Sequence, residues 1–341
     1  MNERMSPDVG EKLGAGQTML LAEPIFKVPD QWPGGYAVPV GAESWVSRVE
    51  NEPRPVDEML KEEYTAIASG LKKMGVDFRI IVAHKNAVDG EYFANLARSL
   101  GLRGLGLDPA INSTTFPRDM MVTFNGVPHI NPEANFKPTY TKGIMSPLGE
   151  GGRVLKVRGK VFVPTPQYQL DNPKYTRQIR TLERQGFRVG TLPWPPAIDA
   201  DPQKDIQTVS ATSHLDRGAA FIRGKDGGDY LLLDSNYAGA SSPMDGEYQL
   251  QIEEACERLD VSPIVVERNA ESIPYALNFE QFEDGSVFMT GGDPELEATV
   301  RGIVGDDKVE TTEVPIIQYP IRRKGGIRCM TLVTSNKIVM R

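Results

Sequence analysis

The feature that most constrains this chain is an alternation that never breaks. Five stretches carry apolar residues at helical spacing: 56–74 (VDEMLKEEYTAIASGLKKM), 90–100, 174–185, 247–259 and 294–303. Between them lie short β-branched runs closed by Gly, Asn or Asp, among them TMLLA, DFRIIVA, KVFVPT, GAAFIR, DYLLLD, SPIVVE, GSVFMT, EVPIIQY and RCMTLVT. The pattern predicts an α/β fold. Two stretches, RVLKVRGKVFVPT at 153–165 and GAAFIRGKDGGDYLLLD at 218–234, read as strand pairs joined by Gly-containing turns, so the sheets should be mixed and not purely parallel. Five helices with paired strands predict a repeated unit of about 60 to 70 residues. Asp293-Pro294 gives the last helix a start signal. The proline-rich stretches at 163–173 and 192–202 read as surface loops, since strand and helix signals continue unchanged on either side. Residues 1–16 read as a loose leader and 17–341 as a single domain.

Composition narrows the function. A net charge of −8, with no run of Lys and Arg interleaved with aromatics, argues against a nucleic-acid partner and suits a cationic substrate. No stretch of eighteen apolar residues predicts a membrane span, and the first 24 residues lack a signal-peptide pattern. Cys256 and Cys329 have no paired spacing, which fits a reducing, cytoplasmic compartment. With three histidines and neither CxxC nor HExxH, no metal site is expected. GEKLGAGQT at 10–18 lacks the GK[ST] ending of a phosphate loop and precedes a strand instead of following one.

Four places at strand edges carry chemistry. Cys256 shares a helical face with Ile252 and Leu259 and reads as core, whereas Cys329 follows Gly325-Gly326 at the start of a predicted strand, either as buried filler or as a thiol that something can approach. Arg118-Asp119 precedes an apolar strand, where the acid either caps a turn or meets a ligand. Glu150 precedes Gly151-Gly152 and a hairpin. His214 and Asp216 stand two apart before another strand, a spacing that in extended backbone points both side chains one way; the alternative is a surface loop.

The order and context of these motifs resemble the guanidino-group-modifying enzymes of the pentein superfamily: R-D at 118–119, E-G-G at 150–152, H-L-D at 214–216 and G-G-x-x-C-x-T at 325–331, with NFEQFEDGSVFM from Asn278 similar to a fifth strand pair. The resemblance implies a five-bladed pseudo-symmetric α/β propeller. It implies a Cys329 nucleophile, His214 as acid and base, Asp119 and Asp216 clamping a guanidinium, and Glu150 orienting either ligand or histidine. The chemistry agrees, since a planar, permanently charged guanidinium suits two carboxylates and its carbon yields more readily to a thiolate than to water. No cofactor is expected. The partner implied is a small cationic guanidino molecule, with homo-oligomerisation left open.

Gly325 and Gly326 would permit close approach to the substrate, and Arg118, Arg323 and Arg328 either pair a substrate carboxylate or sit solvated at the surface. Arg153 departs from the pattern, because many such enzymes carry Asp or Asn after E-G-G; it either points outward, meets a carboxylate, or marks an unfamiliar substrate. Hydrolysis of arginine or a relative is the leading expectation. Amidino transfer to an amine through the same covalent amidino-cysteine is the alternative, and a non-catalytic binding module a third.

Overall fold

The computed structural model describes residues 17–22, 56–82, 90–101, 105–106, 118, 121–125, 127–131, 143–146, 148–149, 151–165, 173–193, 214–235, 245–267, 272–273, 275–312 and 326–335. Five small sheets carry them. The first joins β1 (Gln17–Ala22), β2 (Phe78–Val82) and β3 (Leu105–Gly106) to β16 (Thr331–Ser335), in the order β16-β1-β2-β3. Three-stranded sheets follow: β4 (Met121–Phe124), β5 (Val127–Ile130) and β6 (Ile144–Met145); then β7 (Leu155–Val157), β8 (Lys160–Thr165) and β9 (Arg188–Pro193). The last two are β10 (Ala219–Arg223), β11 (Asp229–Asp234) and β12 (Ser262–Val266), and β13 (Glu280–Gln281), β14 (Val287–Thr290) and β15 (Val309–Thr312).

Each sheet repeats one pattern, an antiparallel pair beside a parallel pair. Both predicted hairpins form. Between β7 and β8 the turn residues Arg158 and Gly159 both have positive φ, 47° and 75°, the twist that joins antiparallel strands through two residues. Parallel neighbours need a crossover, and helices supply it: α1 (Val56–Lys73) and α2 (Gly90–Ser99) in the first sheet, then α3 (Pro173–Arg184), α4 (Asp245–Leu259) and α5 (Pro294–Val304) in the third, fourth and fifth. These are the five helices that the periodicity predicts. Asp293 caps α5 by accepting from the Leu296 N–H at 3.2 Å, with Pro294 in the first turn.

Among the described residues, however, the helices are not shared one to a sheet. Two serve the first, and none is described between β5 and β6. The leading strands of the second to fifth sheets and β16 begin at residues 121, 155, 219, 280 and 331, so the expected unit of 60 to 70 residues fits the two middle intervals and is about halved between the second and third sheets. EVPIIQY, the leader and most of both proline-rich stretches lie outside the described residues.

Among the described residues, apolar clusters join the second sheet to the third, the third to the fourth, the fourth to the fifth and the fifth to the first. Val122 and Phe124 of the second pack with Val161 and Val163 of the third; Leu155 and Phe162 with Phe221 and Leu231 of the fourth; Ile222 and Leu232 with Val287 and Met289 of the fifth. Phe282 and Phe288 of the fifth complete the core under α1 and β1 of the first. Cys256 is buried with Ile252 and Leu259 on α4, as their spacing predicts, and burial pushes its thiol up to about 12. Among the described residues no helix is long and apolar enough to cross a membrane.

Candidate active site

The residues of interest gather just ahead of the leading strands: Arg118 before β4, Gly151–Arg153 before β7, His214–Asp216 before β10, Asn278 running into β13, and Cys329 before β16. Cys329 is not the first residue of a strand. It sits in a four-residue helical turn, α6 (Ile327–Met330), whose Ile327 and Met330 are buried in the core of the first sheet. The short helix leaves its first N–H groups without intrahelical acceptors, and Asn278 takes one of them: the Cys329 N–H donates to Asn278 Oδ1 at 3.0 Å. The Arg328 N–H donates to the Asn278 carbonyl at 3.1 Å.

His214 and Asp216 are not in an extended run either. His214 is extended (φ −84°, ψ 112°) and caps a 3-10 turn, Leu215–Arg217, anchored by fully buried Leu215. The turn still brings the pair together, with His214 Nδ1 3.9 Å from Asp216 Oδ1. Cys329 Sγ lies 3.6 Å from Asp216 Oδ2 and accepts from Asn278 Nδ2 at 3.2 Å. One donor atom from each of His214, Asp216 and Cys329 falls within 4.8 Å of the others, and all three residues are buried. That spacing would tolerate one ion. Asn278 directs an N–H at the sulfur, and the guanidinium of Arg328 lies 3.9 Å from Asp216.

Asp216 Oδ1 is sealed from solvent and has no hydrogen-bond partner. A buried carboxylate oxygen in that state is costly unless a donor reaches it.

The paired glycines make close approaches. A Cβ on Gly152 would lie 2.4 Å from His214 Nδ1, and one on Gly151 would lie 2.2 Å from Arg118 Cγ. Arg153 does not point outward from a strand. It ends the 3-10 turn Gly151–Arg153, is buried, and acts electrostatically on Tyr175, whose hydroxyl burial pushes up overall.

The arginines differ from expectation in kind. Arg118 is 2% exposed and forms an ion pair with Glu280, while its Nε–H donates to the carbonyls of Arg328 at 2.9 Å and Thr331 at 3.2 Å. Arg328 donates to Glu280 Oε2 at 3.2 Å and to the Val154 carbonyl at 3.3 Å. Thr331 Oγ1 donates to Glu280 Oε1 at 2.9 Å. A solvated role is therefore excluded for Arg118, and both arginines have partners inside the protein. Asp119, Glu150, Arg323 and Gly325 lie outside the described residues; Gly326 precedes α6, where a Cβ would come 2.8 Å from Asn278 Cβ.

Asn278 and Glu280 are the site residues that sequence reasoning missed. Their signal was present, a polar pair two apart at the start of a strand pair, much as the other four motifs stand.

No family model and no curated protein sequence matches the chain. Solved structures do. Agmatine deiminase from C. jejuni superposes with a TM-score of 0.56 at 14% identity, over 96% of this chain and 95% of that one. A cysteine-to-serine variant of the C. jejuni enzyme with substrate bound gives 0.56 at 12% identity over the same shares. DDAH from Pseudomonas aeruginosa superposes more loosely, at 0.46 and 13% identity over 96% and 100%. The fold is thus the one that agmatine deiminase has. The particular likeness, along nearly the whole chain, is to agmatine deiminase.

Proposed function

We propose that this chain is a five-bladed α/β propeller that hydrolyses a small guanidino compound through Cys329. The observation that carries the reading is the buried meeting of Cys329, His214 and Asp216 within 4.8 Å, beside a carboxylate oxygen that lacks a donor. The neighbour-to-neighbour packing of five similar sheets and the fold of agmatine deiminase support it.

In this mechanism the guanidinium donates its N–H groups to Asp216 and Asp119, with Glu150 orienting His214 or the ligand. The Cys329 thiolate forms a C–S bond to the guanidino carbon. The tetrahedral adduct collapses as a C–N bond breaks, and His214 protonates the leaving nitrogen so that it departs as ammonia. His214 then takes a proton from water attacking the amidino-cysteine. The second adduct expels the thiolate, leaving a ureido product. Arginine or a relative is the substrate class; the internal engagement of Arg118 and Arg328 favours a guanidine without a carboxylate, such as agmatine.

The test is mass spectrometry of protein and small molecules after incubation with agmatine, L-arginine or dimethylarginine, beside Cys329→Ser. A ureido product and ammonia, absent in the variant, are expected. Product only when glycine or lysine is added would replace hydrolysis with amidino transfer, and no product in any arm would overturn the catalytic reading.

A further inference from the structure

Asn278 is 1% exposed, and its amide is fully committed. Oδ1 accepts from the Cys329 N–H at 3.0 Å, which fixes which way the amide is turned. The NH₂ group must then face the other side, where one hydrogen goes to the Asp216 carbonyl at 2.9 Å and the other to Cys329 Sγ at 3.2 Å. The same side chain thus sets the backbone of the cysteine, the backbone of the aspartate and the sulfur itself.

A thiol sulfur is a weak acceptor and a thiolate a strong one, so an N–H held on the sulfur favours the ionised form. The neighbouring charges pull in different directions. Asp216 Oδ2, 3.6 Å away, accepts the S–H and favours the neutral thiol. His214 is within 4.8 Å and favours the thiolate when protonated. Arg328, on the same helical turn, faces Asp216 at 3.9 Å and tempers it. Glu280, ahead of the sulfur along β13, is held between Arg118 and Arg328. Once a guanidinium neutralises Asp216, the N–H of Asn278 remains as a fixed donor on the sulfur.

We propose that Asn278 is the residue that holds Cys329 as a thiolate aimed at the substrate, the fifth sheet's contribution to the reaction. The idea deepens the cysteine-hydrolase reading and rests on it for its purpose, but its physical content is testable without turnover.

The experiment titrates the ultraviolet thiolate absorbance of the full chain against Cys329→Ser, which subtracts Cys256, whose midpoint burial places at about 12. Wild type is compared with Asn278→Ala and with the near-isosteric Asn278→Asp, each checked for cooperative thermal unfolding. The midpoint of Cys329 should rise by about one pH unit in Asn278→Ala, about tenfold less thiolate at a given pH, and further in Asn278→Asp, which turns an acceptor toward the sulfur. If Asn278→Ala does not fold, Asn278→Asp alone decides. A lowered melting temperature with an unmoved midpoint would mean that Asn278 only braces the helical turn, and would overturn the proposal. A shifted midpoint in a protein that processes no guanidine would sustain this inference and sink the hydrolase reading; turnover with an unmoved midpoint would do the reverse.

Discussion

At Gly152, a missing carbon lets His214 take its place. A Cβ there would lie 2.4 Å from His214 Nδ1, too close for a real Cβ contact, so Gly152→Ala must displace the imidazole from its place 3.9 Å from Asp216. The expected result is a loss of about 10²-fold in kcat, the lower range for misplacing an acid–base group. Thermal unfolding of the variant should change far less. A variant with full turnover would show that His214 has no role in the chemistry. At this scale the sequence was legible where residue type is rare or reactive. One of two cysteines behind paired glycines, and a His-x-Asp before a strand, stand out from their surroundings. Asn278 and Glu280 did not, because their importance lies in what they touch, Cys329 and Arg328, which stand 51 and 48 positions further along the chain.

Among the elements, helix existence was legible and strand ends less so. The apolar stripes of α1 to α5 are long enough to repeat, whereas β3, β6 and β13 are two residues each and carry no period. The run RCMTLVT looked like one strand, yet its first half coils into α6 because Ile327 and Met330 must both reach the core of the first sheet. Strand starts are tied together by Glu280, buried between Arg118 ahead of β4 and Arg328 ahead of β16. Glu280→Gln removes the charge and leaves two guanidinium groups facing an amide. Breaking a buried ion pair on one side costs roughly 3–5 kcal/mol, so the urea midpoint should fall accordingly. A midpoint within experimental error of wild type would refute the bracing role.

For the whole molecule, acid sensitivity has an identifiable contributor. His129 on β5 is fully buried, edge-on to Phe124 with ring centroids 4.9 Å apart, and neither ring nitrogen has a hydrogen-bond partner. Burial lowers its pKa from 6.5 to about 4. The unfolded chain therefore binds the proton first, so this stabilisation is present above pH 6.5 and is lost as pH falls toward 4. The loss should be on the order of 2 kcal/mol, and His129→Phe should flatten the fall in melting temperature over that window. An unchanged slope would assign the acid sensitivity elsewhere. Periodicity and turn residues determined the α/β class, the five helices and both hairpins, because each helix and hairpin is encoded within about twenty neighbouring residues, while the resemblance carried by four short motifs singled out Cys329, His214 and Asp216. Only the tertiary structure decided that Arg118 and Arg328 turn inward to Glu280, that Arg153 is buried, and that Asn278 reaches the sulfur. Those facts depend on which strand starts meet, and a buried charge or amide takes whichever partner packing brings within reach.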